Sequence, residues 1–520
     1  MIRRALLCSM VVFAAGMSAQ THRGISSDII DTYTEMIANN PESADLYLSR
    51  AGEYQSSGRF SLALDDLTKA LSLDKNSDKG MRHAILSRRA AVREITGDID
   101  GAIEDLTEAI TLFPDQPSSL SSRARLHIKQ GNLDAARADY LKIRRQIPRD
   151  PQAIFGLAKV EALAGDADKA IGLANEAVDL YPKKGSSYSG KAEILKTLHR
   201  PEAAIDQYLQ AVFCDDAASG EAIQKLVDLS YEDFPAVLNG FNRALDEKPT
   251  SGILYYLRAS VCSAHNHHLQ ALEDLDHING SGPFINGVLD VPRAESMVSL
   301  GRYQDAESLL ESTPATRKTA TYYLILSKLQ HAVGNNEAAL QSASSALMLA
   351  PESADAMAAQ AGILLALNRN QEASALLAEA IMTQSDRPLY YLQRTAATGS
   401  PEFARVALDL PYEPDDPNSL RGFLLLVDGK PEQADAWMSA VMRLAPDTDG
   451  SASYIAACYY AYREKYDKAF EYMEKALDKG YANAYNWLTD DTPYVSVAPL
   501  RTQQRFADIL DKNASKFLKQ

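Results

Sequence analysis

Residues 117–150 read PSSLSSRARLHIKQGNLDAARADYLKIRRQIPRD. Leu120 and Ala124 stand four residues apart, which keeps them on one helical face with His127 just beyond. Gly131-Asn132 interrupts that helix, because glycine supplies the left-handed backbone with which helices end. Ala136, Tyr140 and Ile143 mark the apolar face of a second helix, and Pro148 blocks its continuation. Ala124 and Ala136 are small because two helices must approach closely there. The stretch predicts a helix–turn–helix hairpin. Outward from it the pattern recurs every 34 residues: Gly97, Gly131 and Gly165; Pro114, Pro148 and Pro182; Ala102, Ala136, Ala170 and Ala204. A fixed period in three residue types at once indicates stacked hairpins rather than one closed core, and points to binding rather than catalysis.

An earlier copy covers 44–77, with Tyr47, Ala51, Tyr54, Gly58, Phe60, Ala63, Leu67 and Ala70. The next begins at His83, after five extra residues around Asn76–Gly80, and gap-free copies follow at 117–150, 151–184 and 185–218. Residues 218–251 are degenerate, although Phe241, Ala244 and Pro249 hold the phase. Copies return at 252–285, 287–316, 320–353 and 354–387. Pro401, Pro411, Pro414 and Pro417 crowd the stretch 388–414 and its edge, which reads as a kink or domain seam. The phase recovers at Gly429, Ala434 and Pro446, and a last copy uses Tyr460, Tyr466, Ala469, Met473 and Ala476 within 415–479. Residues 480–520 leave the repeat and read as a cap over the last apolar face. Ile29, Ile30, Tyr33 and Ile37 suggest a matching N-terminal capping helix within 20–43, after a leader.

The series resembles the tetratricopeptide repeat family in its Gly/Ala, Tyr, Ala, Ala and Pro elements, with Tyr or Leu mostly replacing the leading tryptophan. The resemblance implies an all-α, right-handed superhelical solenoid with terminal capping helices. It also implies that first helices form an inner, concave surface. On this chain the first-helix faces turned away from the packing residues include Arg125, Phe155, Lys159, Lys196, Tyr256, Lys328 and Tyr454, a basic and aromatic mixture suited to peptides or protein segments. The Lys/Asn clamp with which some relatives grip a C-terminal carboxylate is not evident. The tail around Asp490–Tyr494, Leu500-Arg501 and Phe506–Leu510 resembles the closing segment of many bacterial repeats of this type.

The formal charge of −16 and pI near 5.1 argue against a general nucleic-acid binder, which needs a basic face. Arg3 and Arg4 precede an apolar run, Ala5–Gly16, too short to span a bilayer, and small residues follow to Ala19. This predicts a signal peptide over 1–19 and export; the alternative is an uncleaved membrane tether. No small-residue lipobox precedes a cysteine. Cys214, Cys262 and Cys458 then remain, an odd number with no C-x-x-C, and read as small apolar residues on buried helix faces. One disulfide among them is the alternative.

Arg50 precedes Asp66 by sixteen residues, and Arg89–Asp105, Arg123–Asp139 and Arg258–Asp274 keep that interval. Antiparallel helices place such residues at one height, so each pair is expected to form a charge-assisted hydrogen bond within or between hairpins. The alternative is an arginine ladder for anions. The search for chemistry finds no H-E-x-x-H, no phosphate-cradling glycine loop and no dinucleotide fingerprint. Gly280–Pro283 reads as a loop between units. His265, His267 and His268, with His277 nearby, lie at a turn and read as loop residues rather than metal ligands. Asp65-Asp66, Asp215-Asp216, Asp415-Asp416 and Asp490-Asp491 read as solvated or capping acids. The expectation is a non-catalytic scaffold of the bacterial periplasm or cell envelope, with no cofactor or metal, binding other proteins. The rivals are a structural subunit using its convex face and ends, and an enzyme hidden in the divergent segments.

Overall fold

The computed structural model describes residues 29–74, 79–214, 218–278, 288–412, 416 and 420–516. The signal peptide at 1–19, the leader, Asp215-Asp216, the Gly280–Pro283 loop, Pro414, Asp415 and Pro417 lie outside these residues. Among the described residues there is no β-strand, and no helix is long and apolar enough to cross a membrane.

The chain divides into two compact units, one ending at Leu226 and one beginning at Val227. The division falls inside the helix Ala218–Glu232, in the degenerate copy, and not in the proline-rich stretch 388–414. That stretch instead forms a shortened hairpin, Pro388–Thr398 and Glu402–Ala407, turned at left-handed Gly399. The degenerate copy turns differently from its neighbours. A single residue, Asp233, joins Ala218–Glu232 to Phe234–Glu247 and caps the second helix by accepting from the Ala236 amide at 3.0 Å.

In the first unit a helix over residues 29–39 precedes five hairpins: Ala44–Ser56 with Phe60–Leu73, Lys79–Thr96 with Ile99–Leu112, Pro117–Lys129 with Leu133–Gln146, Pro151–Leu163 with Ala167–Leu180, and Gly185–Thr197 with Pro201–Val212. Part of the five-residue insertion is absorbed as extra helix: Lys79–Thr96 has 18 residues where Pro117–Lys129 has 13. At the turn of the reference hairpin Gly131 has φ 78°, and the Asn132 amide donates back to the His127 carbonyl at 2.8 Å. That bond satisfies a carbonyl the helix end would leave open.

Leu120, Ala124, Ala136, Tyr140 and Ile143 are buried together with Ala153, Leu157 and Val160 of the next hairpin. Each hairpin thus completes its core with its successor, as stacked repeats require. Truncating Leu120 to alanine would cost about 3 kcal/mol on the usual cavity scale. Gly156 and Gly190 serve the same stacking from the other side. A Cβ at Gly156 would stand 2.3 Å from Cζ of Tyr140, and one at Gly190 2.7 Å from Cε2 of Phe155. Each glycine therefore seats the aromatic ring of an earlier repeat.

The arginine–aspartate pairs are bidentate. Arg123 Nε donates to Asp139 Oδ2 at 2.9 Å and Nη2 to Oδ1 at 2.7 Å, and Arg50, Arg89 and Arg258 engage Asp66, Asp105 and Asp274 in the same way. All four aspartates are buried, Asp274 completely. The third guanidinium nitrogen reaches sixteen residues backward: Arg50 to Thr34 at 3.0 Å, Arg123 to Thr107 at 3.2 Å and Arg258 to Asn242 at 2.5 Å. One arginine therefore ties its own second helix to that of the preceding hairpin. Thr34 lies in the helix over 29–39, which thus takes the place of a preceding second helix for the first repeat. In the copy after Arg123 and Asp139 both positions are leucine, Leu157 and Leu173, so the ion pair is exchanged for an apolar one as a unit.

The second unit continues with Gly252–Ala264 and His268–His277, Asp290–Ser299 and Tyr303–Ser312, Ala320–Ala332 and Asn336–Leu349, Ala354–Ala366 and Asn370–Thr383, then the shortened hairpin, Arg421–Val427 with Pro431–Leu444, and Ser451–Tyr462 with Tyr466–Asp478. The tail adds Ala484–Leu488 and Gln504–Lys512. Trp487, Val497, Leu500, Phe506 and Ile509 are buried against Phe470, Met473 and Leu477, which closes the end of the stack.

Candidate functional site

Three consecutive first helices of the first unit, Pro117–Lys129, Pro151–Leu163 and Gly185–Thr197, line a cavity of about 640 Å³. Arg125, Phe155 and Lys159 stand in its wall, with Tyr140 behind them. The two glycines described above create the floor: without side chains at 156 and 190, the rings of Tyr140 and Phe155 come up against the backbone. Burial raises the Tyr140 phenol above its usual range, and a hydrogen bond with Ser121 offsets only part of that. Phe155 is half-buried and Lys159 is exposed, with no ion pair among the described residues. Arg125 and Lys129 share Glu94 at 3.5 Å and 2.5 Å, both cations being about half exposed. Glu193, across the cavity, accepts from the Tyr208 hydroxyl at 2.6 Å. The rim is cationic and the floor aromatic. Such a surface can take a segment that brings a carboxylate beside an apolar side chain. Lys196 is half-buried and does not line this cavity.

The second unit treats its first helices differently. Tyr454 is only 5% exposed, stacked on Tyr481 at 4.6 Å and edge-on to Trp487 at 5.0 Å. It is a core residue, and the reading of it as inner surface is corrected: the tail supplies aromatic partners that cover it. Lys328 carries its ammonium 4.5 Å from the ring centroid of Tyr485, another tail residue. Tyr256 is half-buried, and burial followed by the charge of Glu295 raises its phenol. Periodicity could not reveal Tyr485, because the tail has no repeat. The signal available was its aromatic density, with Tyr481, Tyr485 and Trp487 within seven residues.

The histidine turn also meets distant chain. His265 donates through Nδ1 to Asp449 Oδ2 at 2.7 Å, and its Nε2 lies 2.9 Å from Ser230 Oγ. Hydrogen bonds from His265 and Ser451 hold the Asp449 carboxyl below its usual range, against a burial effect that alone would raise it. Asn483 donates to Asn266 at 2.7 Å, and a Cβ at Gly480 would stand 2.4 Å from Cε1 of His267. Serine, histidine and aspartate in line are the components of a nucleophilic triad. Here, however, Ser230 is 1% exposed, its hydroxyl lies 2.6 Å from the Val227 carbonyl, and the rings of Tyr231 and Phe234 lie 4.8 and 4.6 Å from the imidazole. A substrate carbonyl has no approach, so the trio acts as a clasp between the first hairpins of this unit and its last. The remaining histidine, His277, stacks on Tyr255 at 5.0 Å.

Residues 121–185 match the family model for the tetratricopeptide repeat. Among solved structures the chain is similar to YrrB, described as a TPR protein with an unusual peptide-binding site, at 17% identity over 37% of this chain and 97% of that one, TM-score 0.28. It is similar to a tetratricopeptide repeat protein from Parabacteroides merdae at 16% identity over 59% and 93%, TM-score 0.29. It is also similar to the C-terminal part of a TPR repeat-containing protein from Cytophaga hutchinsonii at 15% identity over 46% and 97%, TM-score 0.34. No curated protein matches the chain. That family match lies inside a succession of hairpins that share its glycine, alanine and proline register, so the chain is a helical repeat protein, all-helical among the described residues, whose residues 121–185 match the tetratricopeptide repeat, a scaffold of the kind that mediates protein–protein interaction.

Proposed function

We propose that the protein is an exported scaffold of the bacterial cell envelope that recruits other proteins by gripping acidic, partly apolar segments on the inner face of its first unit. The observation that carries this reading is the convergence of Arg125, Phe155 and Lys159, from two successive first helices, on one cavity with a cationic rim and an aromatic floor. The export component rests on the N-terminal sequence, Arg3-Arg4 followed by the Ala5–Gly16 run. Mass spectrometry of the N-terminus tests it: a start at Gln20 supports export, and retention of Met1 in protein recovered from the cytosol removes it. The binding component is tested with fluorescent peptides pairing Asp or Glu with Phe or Leu. Affinity should fall at least tenfold in Lys159→Glu and in Phe155→Ala while the fold is retained. Equal binding by the wild type and both variants would sink it.

A second reading has an observation of its own. Met348 and Met382 are 82% and 79% exposed at the same register of successive second helices, with Leu349 beside them. That favours a structural subunit which assembles through its outer face, and Met348→Glu with Met382→Glu would then abolish assembly while leaving peptide binding intact.

A further inference from the structure

The first helices of the second unit, Asp290–Ser299, Ala320–Ala332, Ala354–Ala366 and Pro388–Thr398, share a cavity of about 570 Å³ with tail residues 485 and 490–493. Its hydrogen-bonding inventory is unbalanced. Glu295 contributes a carboxylate with no hydrogen bond or ion pair among the described residues. Asp490 uses Oδ1 to accept from the Thr492 amide at 3.0 Å and hydroxyl at 2.6 Å, and its other oxygen has no such partner. Gln393 lines the cavity at 6% exposure, and its Oε1 meets no donor. Other polar groups in the wall are already engaged: His331 with Asn336 at 2.7 Å, Ser327 with the Ala339 carbonyl at 2.8 Å, and Asp491 with Arg501 at 2.6 Å. Lys328 makes no direct ion pair among the described residues; its ammonium stands against the Tyr485 ring and its charge reaches Glu295 and Asp490 through space. Gly362 opens the wall opposite Gln393: a Cβ there would meet nothing nearer than Gln393 Nε2 at 3.7 Å.

A buried, unmet acceptor on Gln393 beside two half-buried carboxylates calls for a ligand that is rich in donors and positively charged, because an unmet buried acceptor is costly. We infer that this cavity is a binding site for an organic ammonium or guanidinium group, held by Glu295, Asp490 and Gln393 beneath the chain's own tail. Electrostatics agree with the geometry. Burial raises the carboxyls of Glu295 and Asp490 and lowers the ammonium of Lys328, and the mutual attraction of Lys328 with both carboxylates opposes these shifts without cancelling them, so a further cation would be taken up together with the ionised carboxylates. The site is separate from the cationic cavity of the first unit and has the opposite preference, so the failure of either proposal leaves the other standing.

The test is calorimetric titration of the full mature chain with ethylguanidinium, agmatine and ethylammonium, with neutral ethylurea as the control of matched shape. Saturable binding of the cations with one site per chain, and none of ethylurea, is the expected result. Glu295→Gln should weaken binding at least tenfold while Lys159→Glu leaves it unchanged. A capped Ala-Arg-Ala peptide identifies the source: binding that matches agmatine assigns the group to a protein side chain, and binding by agmatine alone assigns it to a free small molecule. Absence of saturable cation binding to the wild type overturns the inference, as does equal binding of ethylurea. The wild-type comparison stands even if Glu295→Gln fails to fold.

Discussion

The two compact units use one hairpin to opposite ends. In the first, the inner helices meet solvent, and Arg125 and Lys159 stand on a rim above the rings of Tyr140 and Phe155. In the second, the tail lies over the corresponding helices, so that Tyr454 is core and Lys328 sits against Tyr485. The lesson is that the repeat determines which residues face inward, but not whether that face remains free. Only non-repeating chain decides the second question.

The largest expected effect breaks the covered face. Trp487→Ala removes a fully buried ring packed with Tyr454 and Tyr481 and should destabilise the second unit by about 4 kcal/mol. Hydrogen exchange should show protection lost over 450–500 and kept over 121–185; equal loss in both would show that the units do not respond separately.

Next comes the ion-pair ladder. Asp139→Ala strands the Arg123 guanidinium, which is 20% exposed, and should cost about 3 kcal/mol in urea unfolding. Arg123→Leu with Asp139→Leu, which copies the Leu157 and Leu173 of the following repeat, should recover most of that loss. A double variant as unstable as the single would show that the pair fixes register rather than merely filling space.

Acid should separate the units further. Burial lowers His268 to about 3 and His267 to about 4. An unfolded histidine takes its proton near pH 6.5 or about there. The folded state therefore has its full advantage above that pH and loses it as pH falls toward the folded values. Going from pH 7 to pH 5 should cost the second unit about 2 kcal/mol for each of these histidines, and His268→Gln should remove its share. His83 and His127 of the first unit are lowered by burial as well, but only part-way, so its acid sensitivity should be weaker.

The smallest effect lies in the turns. Where most repeats have glycine with positive φ, His199 has φ 55° and Glu464 φ 56°. His199→Gly in the first unit and Glu464→Gly in the second should each stabilise by about 1 kcal/mol in thermal denaturation. A gain in one and not the other would show that the turns of the covered unit are held by contacts beyond their own hairpin.

Most of the fold is legible in the sequence, because glycine, alanine and proline report local geometry directly. The sixteen-residue arginine–aspartate interval is legible for the same reason: an antiparallel hairpin converts chain distance into height. Its backward counterpart, Arg123 to Thr107, was present at the same interval and is hidden only because Thr, Asn and Thr share no charge. The convergence of Arg125 and Lys159, 34 residues apart, on one cavity follows from register alone. The clasp at His265 does not, since its partner Asp449 lies 184 residues away and neither residue belongs to the repeat pattern. The division at Leu226 is equally unreadable by proline content, because Pro401 is accommodated in a short hairpin whereas the degenerate copy simply lacks its glycine turn.

Cys214, Cys262 and Cys458 are buried thiols outside any disulfide, and burial pushes the Cys262 thiol up to about 12 and raises that of Cys458 too. Only a thiolate attacks an alkylating reagent or a disulfide, so the sulfurs of Cys262 and Cys458 are chemically silent while their helices stay folded. Cys262 lies in a helix near the start of the second stack and Cys458 in the last full repeat, with Cys214 beside the end of the first. The molecule thus carries three internal clocks. The rate at which each is labelled by iodoacetamide measures how often its own stretch of helix breathes open, without any probe having to be introduced.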